Sequence, residues 1–468
     1  MPSILPALLA LALSQTPPPA AAPGETATPT PTGRAGEELD AGPVPTRRYL
    51  IEHIELRGLR HTRPEAVRRH LLVEEGEILD PERVLLSRLA LLQLGWFSRV
   101  ESHVERGSER GKVLVFFDVV ERNTLIVTDL VIGSTPSQPV YGGLGLSQQN
   151  FLGQGLGLSG AFVYGGAPEG RRRDPDRYAV RAGFFAPDLP LPRLRLVAGV
   201  NWLVLRGEEL SCPDIRCEDF VGNFGSAPRI RYQRRGFEGL VGVRPGPFER
   251  LSIAYRLEQV TSTRLGLAPG QGPPIHDGRS VLAALTASYE IDTRDDFFYP
   301  TEGFHALAQV GLASRLAGGD YEFSRYLLQV ETGYDLFRIP LRFQSAMGVV
   351  QGDAPFFERF YSADYSYFAI GPALGRAMEL NFSTDSRYDA FLAMGGLEYG
   401  MPLWTRTDSP FHRAYLALGA RGVWSANKLG GGRTRASKVP VSADVALRLD
   451  TSIGTFNVSI GYLLDNVL

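Results

Sequence analysis

From about residue 125 onward, apolar and polar positions alternate. Leu251, Ile253, Tyr255 and Leu257 interleave with Ser252, Ala254, Arg256 and Glu258. Val441, Ala443, Val445, Leu447 and Leu449 interleave with Ser442, Asp444, Ala446, Arg448 and Asp450. A period of two sends successive side chains to opposite faces of a strand. Either face could be the buried one of a soluble sandwich. Two features favour a membrane. The segments run to about ten residues or more, the length a tilted membrane strand needs. Many end in aromatics, among them Trp202, Tyr289, Tyr334, Tyr399, Trp404, Trp424 and Tyr462, as an interfacial girdle requires. The other face carries Arg, Glu, Gln and Gly, which suits a wet lumen. Short turns at 150–155 and 188–192 contrast with long loops at 205–227, 263–279 and 353–388. The short ones are expected on the periplasmic side and the long ones outside. The pattern predicts a mainly β fold, a transmembrane antiparallel barrel of about 14–16 strands, even in number as closure normally requires.

Ahead of the barrel the periodicity is mixed. Residues 49–56 read as a strand ended by Arg57-Gly58. Thr62 is placed to cap a short helix over 63–71, with Pro64 in its first turn. Asp80 caps a second helix opened by Pro81, whose Val84, Leu85, Leu89, Leu92 and Leu94 recur at helical spacing. Gly95 stops it. Strands follow at 100–106 and 113–121, joined by a turn at 107–111. The predicted order is strand, helix, helix, strand, strand.

Residues 1–16 hold an apolar run, from Ile4 to Leu13, too short to span a bilayer and suited to a signal peptide. Residues 17–46 are rich in Pro, Ala, Thr and Gly and bury too little to offset ordering, as in a disordered linker. The expected domains are therefore 1–16, 17–46, 47–122 and 123–468. No later apolar stretch reaches transmembrane-helix length, so any spanning must be by a closed barrel.

Charge and chemistry narrow the function. The net charge is −2, so no global field favours nucleic acid. Cys212 and Cys217 are the two cysteines and share one loop, which favours a small disulfide hairpin over two unrelated thiols. None of the seven histidines has metal-motif spacing with a carboxylate between. Gly155, Gly157 and Gly160 match a dinucleotide fingerprint, but they run into strand alternation rather than a helix. Asp292, Asp295 and Asp296 read better as a solvated structural cluster at a barrel turn than as a calcium site. No catalytic, cofactor or metal site is expected, and the chain is not expected to be an enzyme.

The second helix running into Leu94-Gly95-Trp96-Phe97-Ser98-Arg99-Val100, with the closing strand Val115-Phe116-Phe117-Asp118-Val119-Val120-Glu121, resembles a POTRA domain. The barrel opens Gln149-Asn150-Phe151-Leu152-Gly153-Gln154-Gly155, which resembles the first hairpin turn of the BamA/TamA-like outer-membrane assembly (surface antigen) family. Asp292-Thr293-Arg294-Asp295-Asp296 resembles its mid-barrel turn. The stretch Phe356, Phe357, Glu358, Arg359, Phe360 and Tyr361 resembles the entry to its inward-folded loop, which would continue through Tyr367 and Arg376. Leu397-Glu398-Tyr399 and Thr451-Ser452-Ile453-Gly454 resemble later strands and turns.

The resemblance implies an outer-membrane barrel with its POTRA domain in the periplasm, monomeric, in contact with lipid. It would assist insertion or translocation of client polypeptides caught by β-augmentation on the POTRA edge. The rival reading is a divergent barrel acting as a pore or as a binding or structural protein without insertase activity. The family's loop arginine should fall near 366–371, where the chain reads Ser-Tyr-Phe-Ala-Ile-Gly. Its acidic wall partner should fall near 419–421, where Arg421 stands without a carboxylate. The loop is therefore expected to enter the lumen held by aromatic packing. Arg421 is expected to face inward, with Glu358, Asp364 and Glu379 as candidate partners.

Overall fold

The computed structural model describes residues 48–135, 138–165, 177–191, 194–210, 228–296, 298–337, 339–361, 388–405, 411–426 and 441–464. The signal-peptide and linker readings, Cys212, Cys217, Asp364, Tyr367, Arg376 and Glu379 lie outside the described residues.

The N-terminal elements are β1 (Leu50–Arg57), α1 (Pro64–Arg68), α2 (Pro81–Gln93), β2 (Phe97–Arg106) and β3 (Lys112–Glu121). The sheet order is β1-β3-β2, with β1 parallel to β3 and β2 antiparallel to it. A parallel pair needs a long crossover, and the two helices lie within it. Asp80 caps α2 as expected, accepting from Glu82 N at 2.9 Å. The buried face of α2 runs through Val84, Ser87, Ala90 and Leu91, while Leu85, expected in the apolar stripe, is exposed. Ser87 tolerates that position because its hydroxyl donates to Arg83 O (2.7 Å) and accepts from Leu72 N (2.8 Å). Thr62 does not cap α1, whose N-cap is Arg63 without a side-chain bond. The outer edge of β1 is covered, since Ile51 N donates to Glu77 O and Leu79 N to Tyr49 O. Among the described residues β2 pairs only with β3, so it is the open edge of this sheet.

The larger sheet begins with β4 (Leu125–Thr135), β5 (Gln138–Phe151), β6 (Leu156–Gly165), β7 (Arg177–Leu191), β8 (Leu194–Leu210), β9 (Arg229–Val243) and β10 (Glu249–Leu265). It continues with β11 (Gly278–Asp292), β12 (Phe304–Ala313), β13 (Phe323–Leu336) and β14 (Ile339–Gly352). A two-stranded pair, β15 (Phe360–Tyr361) with β16 (Tyr388–Asp389), stands apart. Then come β17 (Phe391–Thr405), β18 (Phe411–Ala426), β19 (Val441–Thr451) and β20 (Gly454–Leu464). Its strands form one 15-stranded sheet in chain order, β14 pairing directly with β17. Every neighbour pair is antiparallel, which makes a nearly closed barrel. Among the described residues the count is 15, inside the expected range of about 14–16 though odd, so β4 and β20 run in the same direction.

The two faces separate as the alternation predicted. On β8, Val200 and Trp202 are 46% and 49% exposed, while Val197 and Leu205 are buried. On β10, Leu251 and Ile253 point outward, while Ser252 and Glu258 are buried. Polar side chains inside and apolar ones outside invert the order of a soluble sandwich, which decides between the two readings. Trp202, Tyr289, Tyr334, Trp404 and Trp424 are all exposed on the outer surface.

This face assignment predicts a contrast at neighbouring positions. Val200→Arg should destabilise the folded barrel by about 2–4 kcal/mol if the site lies near the bilayer midplane. Asn201→Arg, on the inner face, should cost far less. Urea unfolding from lipid vesicles measures both, and equal losses would overturn the assignment.

Candidate functional site: the plugged lumen, the seam and the docked N-terminal domain

The described start of the loop after β14, residues 353–361, turns into the barrel. Pro355 leads into a single 3-10 turn, Phe356–Glu358. Phe356 is fully buried, with ring centroids 5.1 Å from Tyr232 and 4.9 Å from Tyr388. Phe357 lies under the Arg234 guanidinium at 4.0 Å. Phe360 lies on Gly348 of β14, where a Cβ would collide with its ring. Arg359 N closes the turn on Phe356 O at 3.0 Å, and Tyr361 pairs with Tyr388 in the short ladder. At the loop's base, His276 Nε2 meets Asp353 at 2.7 Å and Phe356 N donates to Pro274 O at 2.7 Å.

Packing is joined here by two ion pairs. Glu358 in the loop meets Arg256 of β10 at 2.7 Å, and Arg234 of β9 meets Glu258 at 2.7 Å. The loop brings the acid and the wall brings the bases. Glu358, a sequence candidate for Arg421, pairs with Arg256. Arg421 lies opposite Gly396 and Ser442 and shares the inward alternation of buried Val423. The wall arginines went unrecognised as loop ligands. Their signal was present, because Arg256 and Glu258 fall on the inward face of the β10 alternation.

Below the plug the lumen is crossed by a charged network. Glu398 accepts from Tyr299 Oη at 2.5 Å and from Arg448 at 2.5 Å, with Arg342 at 3.7 Å. Arg342 meets Glu331 at 2.9 Å, and Arg294 bridges Glu331 and Asp292 at 2.7 Å each. The aspartates of the mid-barrel turn are engaged rather than simply solvated. Asp296 accepts from Phe298 N at 2.6 Å and pairs with Arg413, and Asp295 accepts from Thr301 N at 2.9 Å.

The first hairpin turn is the socket for the N-terminal domain. Asn150 Oδ1 accepts from Gly155 N at 2.7 Å, shaping the turn, and its Nδ2 donates to Thr62 Oγ1 at 2.9 Å. Arg63 N donates to Gly153 O at 2.9 Å. Gly155 has φ +76 and a Cβ there would lie 2.6 Å from the Trp96 ring, so only glycine fits. Phe151 is exposed. Gln93 Nε2 donates to Asp292 O (3.1 Å) and Arg294 O (3.0 Å), and Arg69 Nη1 donates to Asp188 O at 3.0 Å. The Glu121 carboxylate accepts from Thr62 N at 2.8 Å and His61 N at 3.0 Å. Burial opposes its ionisation, but these bonds hold it down at about 2.

The seam between β4 and β20 is held differently from every other strand pair. No ladder joins them among the described residues. Val127 N donates to Ile453 O at 2.7 Å, at the end nearest the N-terminal domain.

An Omp85 superfamily domain model matches residues 150–467, and a surface antigen variable number repeat (POTRA) model matches residues 49–122. A putative outer membrane protein assembly factor from Treponema pallidum (strain Nichols) is 25% identical over 211 residues. That alignment covers 43% of this chain and a quarter (25%) of the relative's length. The fold is similar to CdiB from Escherichia coli, with TM-score 0.57 at 9% identity over 89% of this chain and 73% of that one. CdiB from Acinetobacter baumannii has TM-score 0.53 at 10% identity, over 90% and 72% of the two chains.

Two outcomes are expected. Glu358→Leu leaves Arg256 with Glu258 at 3.8 Å, and should lower stability by roughly 3 kcal/mol, the low end for breaking a buried pair. Adding Arg256→Met should restore most of it in urea titrations; a double variant as weak as the single would show the pair is uncoupled. His70 of the N-terminal domain is held neutral, its value lowered from 6.5 to about 3 by burial and by Arg244, Arg195 and Arg69. Asp188 at 3.8 Å does not outweigh those three cations. The folded value is depressed, so its contribution is complete above pH 6.5 and is lost as pH falls toward about 3. Thermal midpoints measured from pH 7 downward should fall less steeply in His70→Leu; an unchanged slope contradicts the assignment.

Proposed function

Because this chain belongs to the Omp85 superfamily, we propose that it captures extended polypeptides on its POTRA domain and passes them into the outer membrane at the barrel seam. It is an outer-membrane β-barrel with one POTRA domain. In this reading the POTRA domain sits in the periplasm, at the mouth where it is docked, and the chain acts as a monomer. The work is mechanical, with no covalent chemistry.

The observation that carries the reading is the seam. In hydrocarbon an unpaired strand edge leaves donors and acceptors with no water to satisfy them. An edge held at one end is therefore a template for another strand. The open β2 edge offers the same chemistry in water, by β-augmentation. The relative from Treponema pallidum is named as a putative assembly factor, which agrees.

One observation favours a second reading, a pore or binding barrel without insertase activity. The described part of the plug is fastened by Glu358 and Arg256, and the sequence has no arginine at 366–371, where the resemblance implies one. Depleting the protein separates the two. Levels of other outer-membrane proteins should fall if clients depend on it; unchanged levels with altered envelope permeability would remove the assembly reading and leave the second.

A further inference from the structure

Along β8–β11 the outer face of the barrel changes character from one mouth to the other. Nearer the POTRA domain it is apolar, with Val200 and Trp202 on β8, Val241 and Phe237 on β9, and Leu251 and Ile253 on β10 all exposed. Past Trp202, which lies level with Phe237, the outward positions turn basic. They carry Arg206 on β8, Arg229, Arg231 and Arg235 on β9, and Arg279 on β11. Arg235 is the next outward position after Phe237. Arg206 is level with Gln233, Thr261 and Arg279. This is the far mouth, since the POTRA domain meets the opposite end of these strands, where Arg69 bonds Asp188 O.

Two of these arginines have an acid. Arg229 and Arg231 share Glu208, at 2.9 and 3.2 Å. The other three do not: among the described residues no carboxylate pairs with Arg206, Arg235 or Arg279. Arg235 donates to the Gln259 amide at 2.7 Å. Arg206 donates to the Gln233 amide at 3.0 Å and lies over the Tyr178 ring at 5.6 Å. Arg235 and Arg279 are exposed. The patch is confined to one side of the barrel. At the same mouth, other described strands end outward in Tyr164 on β6, Leu312 on β12 and Trp424 on β18. A general attraction to an anionic bilayer would call for a ring of charge, whereas one quadrant suits one bound molecule.

We propose that this quadrant binds a lipid with an anionic phosphate headgroup, in the leaflet farther from the POTRA domain. That leaflet is the outer one in the orientation proposed above. Arg206, Arg235 and Arg279 hold the phosphate, and the acyl chains lie on Trp202, Phe237 and Val241. The site is independent of client capture and needs only the barrel in a bilayer. A lipid-facing arginine is costly at the midplane and nearly free at the interface, so charge is tolerated at this level. A guanidinium fork gives a phosphate two parallel bonds. Arg206 and Arg235 are diagonal cross-strand neighbours, about 7–8 Å apart at the backbone. Arg279 is three strands from Arg206, roughly 14 Å at the usual strand spacing. Long arginine side chains from such positions can converge on one headgroup. Only an amphiphile matches both parts, a charged row set directly beyond an apolar band.

The test places the full chain in phosphatidylcholine vesicles, with Trp404→Phe and Trp424→Phe. Trp202 is then the lipid-facing reporter, since Trp96 is buried. Dibrominated phosphatidic acid and dibrominated phosphatidylcholine each quench a tryptophan they touch. Quenching at Trp202 should favour phosphatidic acid about tenfold, from the attraction of arginines to anionic headgroups. Arg206→Gln with Arg235→Gln and Arg279→Gln should bring that preference close to one. Quenching by the phosphatidylcholine should stay unchanged, which reports an inserted barrel. Arg235→Gln alone, at an exposed side chain, should lower the preference partway even if the triple variant fails to fold. A chain that keeps Trp424 in place of Trp202 should show no preference. Equal quenching by both lipids at Trp202 overturns the proposal in favour of a soluble anionic partner. A preference equal at Trp202 and Trp424, or one that survives Arg235→Gln unaltered, overturns it as well. Inorganic phosphate added at constant ionic strength should leave the preference intact; its loss would show a free-anion site and overturn the lipid.

Discussion

The structure depends on one constraint, the need to pair every backbone N–H and C=O that faces hydrocarbon. A sheet satisfies it only by closing on itself. Here fourteen antiparallel steps link the strands of a 15-stranded sheet, so the two ends meet running the same way. The bond from Val127 N to Ile453 O secures one end. A parallel ladder would need slanted bonds and a different register from its antiparallel neighbours, so closure at this seam is unlike closure elsewhere in the wall.

The inward face inherits the charges that the outward face excludes. Enclosed charges must be paired, since a lone one is costly in a low-dielectric interior. The lumen does this in two tiers. Near the POTRA side, Glu398 and Glu331 are shared among Arg448, Arg342 and Arg294. At the other end the loop supplies Glu358 to Arg256 and Phe357 to Arg234. The aromatic rings of Phe356 and Phe360 then fill the space between, against Tyr232 and Gly348.

The same turn chemistry that ends a hairpin also docks the POTRA domain. Asn150 shapes its own turn and holds Thr62, while Gly155 leaves room for Trp96. Thr62 is held by Asn150, and Arg63 takes the N-cap of α1 without a side-chain bond. Docking brings the starts of β2 and β20 to one cavity, whose lining includes Phe97, Ser98 and Thr455.

The sequence by itself determined the alternation of faces, the POTRA element order and the family-like turn at Asn150, because each is written in local spacing and in backbone demands that few residues meet. Leu251 and Ile253 outward, Asp80 as a cap and Gly95 as a stop could all be read this way. Only the tertiary structure decided what depends on residues far apart in the chain. It paired Glu358 with Arg256, moved Thr62 from its own helix to Asn150, and set Leu85 outward with Ser87 inward. It also decided, among the described residues, the count of 15 strands in the large sheet and the bond from Val127 N to Ile453 O at the base of the seam. Period and turn chemistry constrain one strand at a time, whereas pairing partners and closure are set by how all the strands meet around the barrel.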